Sequence, residues 1–443
     1  MKLNYKRTIF VGLAFFAITM FWQVYDNLVP VILKETFGLK HALVGLVMAA
    51  DNVLALFLLP LFGALSDKTH TRWGKRTPYI VCGTILAALT FVFAGLTAVK
   101  ANFVGFLITL GFVLVFMGTY RSPAVALMPD VTVKPLRSRA NAVINLMGAV
   151  GGLISLGLVA LLLSDARTEY FTIFTVVAGI MVVSLVVFML FVKEPKFAKE
   201  MEDYQKQLGI EEVQEQETEQ EIGGLGKSKW KSMLFLLASV FLWYMSYNAV
   251  TSMFANYASS VWKVGGGEFT MPLMVAQAAA IASYIPVGML AARIGRRKCV
   301  IIGVICMIAS FVAAFFFGTN LFIKIDLSGG VYNNPMFYVM CIFFALCGVG
   351  WATINVNSYP MVVEMSRGAN VGRFTGYYYT ASMAAQIVTP ILAGVFMDID
   401  ERTLFVYATV FVVLALVTML FVRHGDVKPI MPKSKLESFD VED

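Results

Sequence analysis

Charged residues are scarce in this chain of 443 residues: Asp, Glu, Lys and Arg together make up 14% of it. An ordinary soluble domain carries about 25%. Hydrophobic residues supply 58%, and they include 36 Phe and 24 Met. So few charges cannot cover a water-exposed surface of this size. The composition therefore excludes a soluble multidomain protein and predicts a chain embedded in a lipid bilayer.

Cysteine and histidine are also scarce. There are 5 Cys and 3 His, and no two Cys have the C-x-x-C spacing of a metal or redox site. This pattern excludes a disulfide framework, and we expect neither a metal site nor a cofactor. The net charge of +7 is compatible with nucleic-acid binding. However, an excess of Lys and Arg in a membrane protein more often sets its orientation, so we expect no nucleic-acid partner.

Long apolar runs dominate the rest of the sequence. Runs of about 20 residues predict transmembrane helices. Twelve of them occur, at 8–33, 42–65, 79–98, 103–128, 140–163, 170–192, 232–258, 271–292, 299–319, 336–361, 374–397 and 403–422. The first run is too long for a signal peptide, so we interpret it as a retained span. The predicted fold class is an all-α membrane protein with twelve transmembrane helices in two pseudo-symmetric bundles of six.

One long connection divides the spans six and six. Residues 193–231 contain ten acidic and seven basic residues, which indicates a solvated linker. The predicted domains are an N-terminal bundle (1–192), this charged linker (193–231), a C-terminal bundle (232–423) and a tail (424–443).

Lys and Arg are distributed unevenly between the two sides. The termini and even-numbered connections hold 27 of them, whereas the odd-numbered connections hold 7. By the positive-inside rule, both termini and the linker are cytoplasmic. We expect a multi-pass protein of the cell (plasma or inner) membrane, surrounded by lipid and monomeric.

The two halves share an internal repeat. After span 2 the chain reads G-A-L-S-D-K-T-H-T-R-W-G-K-R from Gly63, and after span 8 it reads G-M-L-A-A-R-I-G-R-R-K from Gly288. An acid also ends span 4 (Asp130) and span 10 (Glu364), and in each case an Arg follows nine residues later. Two matches in the same order indicate a duplicated six-helix unit.

These residues carry a family resemblance. The G-x-L-x-D/A-R-x-G-R-R-K pattern resembles the cytoplasmic loop motif of the major facilitator superfamily, over the whole chain. The S-D-x6-G-x-R-x-P segment (66–78), R-A-N-A (139–142) and Y-D-x-x-x-P (25–30) resemble the sucrose-carrier branch of the glycoside–pentoside–hexuronide:cation symporters. T-R-W-G-K (71–75) is similar to the melibiose permease group. The resemblance implies a secondary transporter that works by alternating access, and not an enzyme.

Three ionisable residues lie deep in the spans: Asp26, Asp51 and Arg121. Each costs at least about 2.5 kcal/mol at the bilayer centre, which makes it a functional candidate. At about 1.5 Å per residue, Asp51 is within about 5 Å of its span's midpoint, Asp26 about 8 Å toward the outside and Arg121 about 8 Å toward the cytoplasm. We expect them to line one cavity, with Asp26 and Asp51 coupling protons. The alternative is a structural ion pair such as Asp51–Arg121.

Amides and aromatic rings accompany these charges. Such groups suit a sugar, because amides bond its hydroxyls and flat rings cover its C–H faces. The alternative roles are hydrogen bonds between helices and interfacial belts. The predicted substrate-binding residues are Trp22, Tyr25, Asp26, Asn27, Asn52, Tyr120, Arg121, Asn141, Asn145, Tyr247, Asn248, Gln277, Asn355 and Gln386.

Charges in the cytoplasmic loops predict a gate. Acids at the ends of spans would hold basic residues when that face closes; the alternative is that the basic residues only set topology. The gate candidates are Asp67, Arg72, Arg76, Asp130, Arg139, Glu364 and Arg373. Ala292 stands where the family motif usually has Asp, which weakens the expected second latch.

The expected coupling ion depends on two positions in span 2 at which this sequence differs from the sodium-using transporters. The sodium-using melibiose group carries Asp four and eight residues before the motif Gly; here those positions are Leu59 and Ala55. A hard cation needs oxygen ligands. We therefore expect a proton-coupled sugar symporter, for a disaccharide or other glycoside. The alternatives are a proton-coupled exporter of drugs or other small metabolites on the same fold, and a polytopic enzyme or sensor.

Overall fold

The computed structural model describes residues 3–133, 136–164, 168–207, 227–264, 266–318, 334–366 and 371–425. The described part is helical, with no β-strand. Its α-helices are α1 (Tyr5–Val31), α2 (His41–Asp67), α3 (Thr77–Val99), α4 (Phe103–Asp130), α5 (Arg137–Leu162), α6 (Thr168–Phe191), α7 (Glu194–Gln207), α8 (Lys227–Ser260), α9 (Thr270–Ile294), α10 (Arg296–Gly318), α11 (Pro335–Ser366), α12 (Val371–Ile399) and α13 (Thr403–Leu420). A π-helical segment, Ile32–Thr36, continues α1.

Twelve of these helices are long and apolar enough to cross a membrane, which confirms the predicted spans. Only α7, with 14 residues, is too short and too polar; it forms the first part of the predicted linker. Large apolar side chains are exposed around the helices, for example Leu161 (84%) and Phe57 (67%). Because helices satisfy their own backbone groups, such a surface suits lipid.

Packing divides the chain into two compact units. The first comprises the described residues of Met1–Leu39, Ala50–Glu212 and Gly265–Thr270. In it, α1 packs on α5 and α6, and α3 packs on α4 and α6. Glycines let α1 and α5 approach closely: a Cβ at Gly148 would lie 2.9 Å from the Thr19 hydroxyl, and one at Gly151 would lie 2.5 Å from the Phe16 carbonyl oxygen.

The second unit repeats this arrangement. It comprises the described residues of Lys40–Ala49, Val213–Val264 and Met271–Asp443. Here α8 packs on α12 and α13, and α10 packs on α11 and α13. Gly303 and Gly350 let α10 and α11 touch, since a Cβ on either would lie 2.7 Å from the other's carbonyl oxygen. The predicted domain boundaries follow the spans rather than these contacts, and they stay a prediction.

The boundaries between the units fall near the starts of two helices. α2 has its first turns in the second unit and the rest in the first, while the residues that lead into α9 belong to the first unit and the helix to the second. These two spans are also the least buried. In the most apolar 18-residue stretch of each, 22% and 11% of the residues are buried, against 33–56% in the other ten spans. Each therefore has few side chains buried against the rest of the protein.

Candidate functional site

One turn of α1 concentrates polar groups that the protein does not satisfy. The indole N–H of Trp22, the hydroxyl of Tyr25 and the side-chain oxygen of Asn27 are buried without a hydrogen-bond partner among the described residues. The partly exposed carboxylate of Asp26 makes no hydrogen bond or ion pair within the same described part. Because buried polar atoms in native proteins are almost always paired, this turn is suited to bind a polar ligand.

Asp51 and Arg121 complete the polar cluster of the first unit. Asn52 donates a 2.8 Å hydrogen bond to Asp51 Oδ1, and the guanidinium carbon of Arg121 lies 5.6 Å from the centre of the Trp22 ring. The charges of Asp26, Asp51 and Arg121 interact electrostatically. Yet within the described residues no ion pair of 4.0 Å or less joins Arg121 to either aspartate. In this conformation the alternative of a locked Asp51–Arg121 pair is not formed.

Other predicted residues of the first unit are already engaged. The fully buried Tyr120 donates to the carbonyl oxygen of Ala14 at 3.2 Å, a bond that ties α4 to α1. The Asn27 amide donates to the carbonyl oxygen of Gln23 at 2.8 Å, which leaves only its oxygen open. Asn141 and Asn145 are half-buried on α5, and neither is without a partner. Their predicted substrate contacts remain predictions.

The second unit offers aromatic rings instead of charges. Tyr247 of α8 stacks face to face on Trp351 of α11, with ring centres 3.8 Å apart and planes 3° apart, and Tyr244 meets Trp351 edge-on at 5.2 Å. Sequence reasoning missed Trp351. The available signal was its spacing, since Trp351 and Asn355 are four residues apart and share a helix face.

The predicted amides of this unit sit on four helices. Asn248 has a buried amide nitrogen without a partner among the described residues. Asn355 and Gln386 are half-buried on α11 and α12. Gln277 is half-buried on α9 and has a partner. The combination of a flat aromatic surface and open amide donors suits a hydroxylated ligand.

The basic loop between α2 and α3 forms a dense ionic network. Arg76 is 5% exposed and bonds Asp130 at 2.8 Å, Asp67, and the hydroxyl of Ser66 at 2.5 Å. Lys75, not among the predicted gate residues, also pairs with Asp130, at 3.1 Å. Of the predicted gate residues, the structure brings together Asp67, Arg76 and Asp130. It does not add Arg72, which is exposed and lies over the Trp73 ring at 5.6 Å. Arg139 is half-buried and has a partner.

Glu194, at the start of α7, is a second residue that sequence reasoning missed. Its carboxylate accepts hydrogen bonds from the backbone N–H groups of Lys75, Arg76 and Thr77, at 2.7–3.2 Å, and from the Thr77 hydroxyl at 2.7 Å. It is 3% exposed. A carboxylate here caps the N-terminus of α3, whose first N–H groups have no partners within the helix.

The second unit has a simpler version of this network. Arg296 pairs with Glu364 at 3.0 Å, and Arg297 donates to the carbonyl oxygen of Leu420 at 2.9 Å. Glu364 was predicted as a gate acid beside Arg373, whose side chain lies outside the described residues. Gly74 (φ 110°) and Gly295 (φ 93°) precede Lys75 and Arg296, so the same left-handed turn presents the basic residue to the acid in both units.

Comparison with known proteins identifies the family. The family model described as Major Facilitator Superfamily matches residues 11–329 and 236–440. The chain belongs to the major facilitator superfamily. It is thus a multi-pass membrane transporter and not an enzyme, and the predicted superfamily is confirmed. The crystal structure of the nucleoside transporter NupG has a similar fold, with a TM-score of 0.63 at 15% identity over 95% of this chain and 100% of that one.

Curated relatives support the predicted branch at low identity. The sucrose transport protein SUT1 of Oryza sativa subsp. japonica is 27% identical over 139 residues, 27% of this chain and 26% of that protein. The putative glycoside/cation symporter YagG of Escherichia coli is 32% identical over 94 residues, 20% of each chain. A putative tartrate transporter of Agrobacterium vitis is 30% identical over 184 residues, 41% of this chain and 40% of that protein. The match spans about a quarter of the sucrose transport protein.

Proposed function

We propose that this transporter is a proton-coupled sugar symporter, for a disaccharide or other glycoside, that works by alternating access. The observation that carries the proposal is the unpaired carboxylate of Asp26 beside the open donors of Trp22 and Tyr25. A carboxylate in a low-dielectric site is costly when charged and unpaired. Binding a proton removes that cost, so an unpaired acid beside a ligand site is suited to couple the two.

The neighbours of Asp26 fit the same cycle. Arg121 is held over the Trp22 ring and is not paired with an aspartate, so it is available to neutralise Asp26 after the proton leaves. Asp51 is anchored by Asn52 at 2.8 Å and is the second candidate proton carrier. Sodium coupling is not favoured, because Ala55 and Leu59 supply no oxygen ligand. We place the protein in the plasma or inner membrane as a monomer, with both termini cytoplasmic.

The test is uptake into proteoliposomes of purified protein. A panel of labelled disaccharides is presented at two external pH values, with and without a protonophore and with sodium at clamped pH. We expect accumulation of at least one glycoside that rises with an inward proton gradient and collapses with the protonophore. Accumulation that follows sodium instead would contradict proton coupling.

A second candidate has its own observation. The relative described as a putative tartrate transporter is 30% identical over 41% of this chain, and Arg121 is a cation beside the open donors of α1. An organic acid pairs readily with an arginine. Labelled tartrate therefore belongs in the same panel, and its uptake in the absence of glycoside uptake would favour this alternative. Efflux of loaded substrate against a gradient would favour the exporter.

A further inference from the structure

The first turn of α2 is held by an acid from α12. Asp398 accepts a hydrogen bond from the backbone N–H of His41 through Oδ1, at 2.7 Å, and from the backbone N–H of Ala42 through Oδ2, at 2.9 Å. The first N–H groups of a helix have no partner within it, and a carboxylate there is a strong cap. This cap comes from a residue more than 350 positions along the chain.

The two helix backbones approach closely beside the cap, although the side chain of Asp398 itself is exposed. A Cβ at Gly45 would collide with the carbonyl group of Pro390, and one at Gly394 would collide with the carbonyl group of His41. The His41 ring is 1% exposed, and its Nε2 lies 3.3 Å from Glu401. The second unit thus holds residues 40–49 of α2 by backbone approach and by two acids of the α12–α13 region.

The rest of α2 belongs to the first unit, and α2 is the least buried of that unit's spans. Its other end carries Asp67, which bonds Arg76. The cap on His41 and Ala42 is accordingly the main polar anchor at one end of a loosely packed helix. The predicted topology places this end outside the membrane, opposite the cytoplasmic loops.

We propose that Asp398 is a positioning residue of an outer gate: its cap on α2 closes the external face, and transport requires the cap to break and re-form in each cycle. This inference rests on the proposed alternating-access function. Asp398 would then set the equilibrium between the outward-open and inward-open states. A helix cap is lost completely once its carboxylate moves away, so the cap acts as a two-state contact.

Three variants test the gate. Asp398→Ala removes both hydrogen bonds, and Asp398→Asn keeps one acceptor oxygen. Asp400→Asn is the matched control, because Asp400 lies two residues away and accepts from Arg402 N in its own loop at 2.9 Å. The reporter is Ala49→Cys, at a position in α2 that is 2% exposed, labelled with a membrane-impermeant maleimide in right-side-out vesicles. The parent without Ala49→Cys gives the background from the native cysteines.

We expect labelling to rise about tenfold with Asp398→Ala, which corresponds to the usual loss of a helix cap. Asp398→Asn should be intermediate, and the Asp400→Asn control unchanged. Both the apparent KM for external substrate and the turnover number should fall. Simple destabilisation lowers the amount of active protein and leaves KM unchanged, so it does not produce this combination. Unchanged labelling in folded Asp398→Asn, or an equal rise in Asp400→Asn, would overturn the gate. Labelling needs neither sugar nor a proton gradient, so it reads the gate even if the proposed substrate is wrong.

Discussion

The two units share one backbone design and differ in their charges. Both have a basic residue directly after a positive-φ glycine, and both pair it with an acid at the end of the unit's fourth transmembrane helix, at 3.1 Å for Lys75–Asp130 and 3.0 Å for Arg296–Glu364. The first unit adds Asp67 and Glu194, and it also holds Asp26, Asp51 and Arg121 within its spans.

The second unit has aromatic rings where the first has acids. Around the stack of Tyr247 on Trp351, the titratable neighbours are the thiol of Cys347 and the hydroxyl of Tyr284, and neither is a carboxylic acid like Asp26. Duplication therefore preserved the helix contacts, while each copy kept different side chains. We infer that the first unit performs coupling and the stronger latch, and that the second adds an aromatic surface to substrate binding.

The largest expected effect comes from Asp26, whose substitution should separate coupling from substrate binding. Asp26→Asn mimics the protonated acid, so sugar counterflow should persist while uphill accumulation is lost. Trp351→Ala in the second unit should do the reverse: it should weaken apparent affinity about fivefold, the value of one aromatic contact of about 1 kcal/mol, and leave coupling intact. Counterflow and concentrative uptake are measured side by side. If Asp26→Asn still accumulates sugar against a gradient, Asp26 is not the coupling residue, and Asp51 becomes the candidate.

The next effect concerns stability. Glu194→Ala leaves three backbone N–H groups at the start of α3 without their acceptor, so we expect a loss of about 2 kcal/mol and a clearly lower Tm in detergent. The control is Glu200→Gln, which removes a 51% exposed partner of Arg7 and should cost less than about 1 kcal/mol. Equal shifts in Tm for the two variants would show that the cap by Glu194 contributes no more to stability than an exposed ion pair.

A smaller effect compares the paired acids directly. Asp130→Asn removes the shared partner of Lys75 and the buried Arg76, whereas Glu364→Gln removes the partner of Arg296, which is 17% exposed. We expect Asp130→Asn to increase the accessibility of a cysteine in the first unit, labelled from the side of these loops, more than Glu364→Gln does in the second, by about threefold for a difference of about 0.7 kcal/mol. The opposite order would contradict the stronger first latch.

The sequence predicted whatever depends on local pattern. Twelve apolar runs correspond to twelve spanning helices, and the loop motif places Arg76 beside Asp67 and Asp130. Spacing alone could not identify Glu194, because it reaches α3 from the opposite end of the unit's sequence. Nor could it identify Trp351, whose role depends on the ring of Tyr247 on another helix.

The contact between α2 and α12 shows the same limit more clearly. His41 and Asp398 are each inconspicuous in sequence, being one histidine after the first span and one acid at a helix end. Their partnership exists because the first turn of α2 packs with α12 instead of with its sequence neighbours. Periodicity predicts which face of a helix is apolar, but it does not predict which distant helix covers that face.

The smallest expected effect comes from restoring an acid at position 292, where the first repeat has Asp67. Position 292 corresponds to Asp67 in the repeat, and Arg297 corresponds to Arg76. Ala292→Asp should strengthen the second network, but only by about 0.5 kcal/mol, a usual value for a single added ion pair. The gain is small because Arg297 already bonds the carbonyl oxygen of Leu420 at 2.9 Å and would have to share its guanidinium. A double-mutant cycle with Arg297→Gln, read as Tm, isolates the new pair. If Ala292→Asp acts as the repeat predicts, its gain disappears in the Arg297→Gln background; a gain that persists there comes from another contact, and the correspondence between the two loops would then end at Arg296 and Glu364.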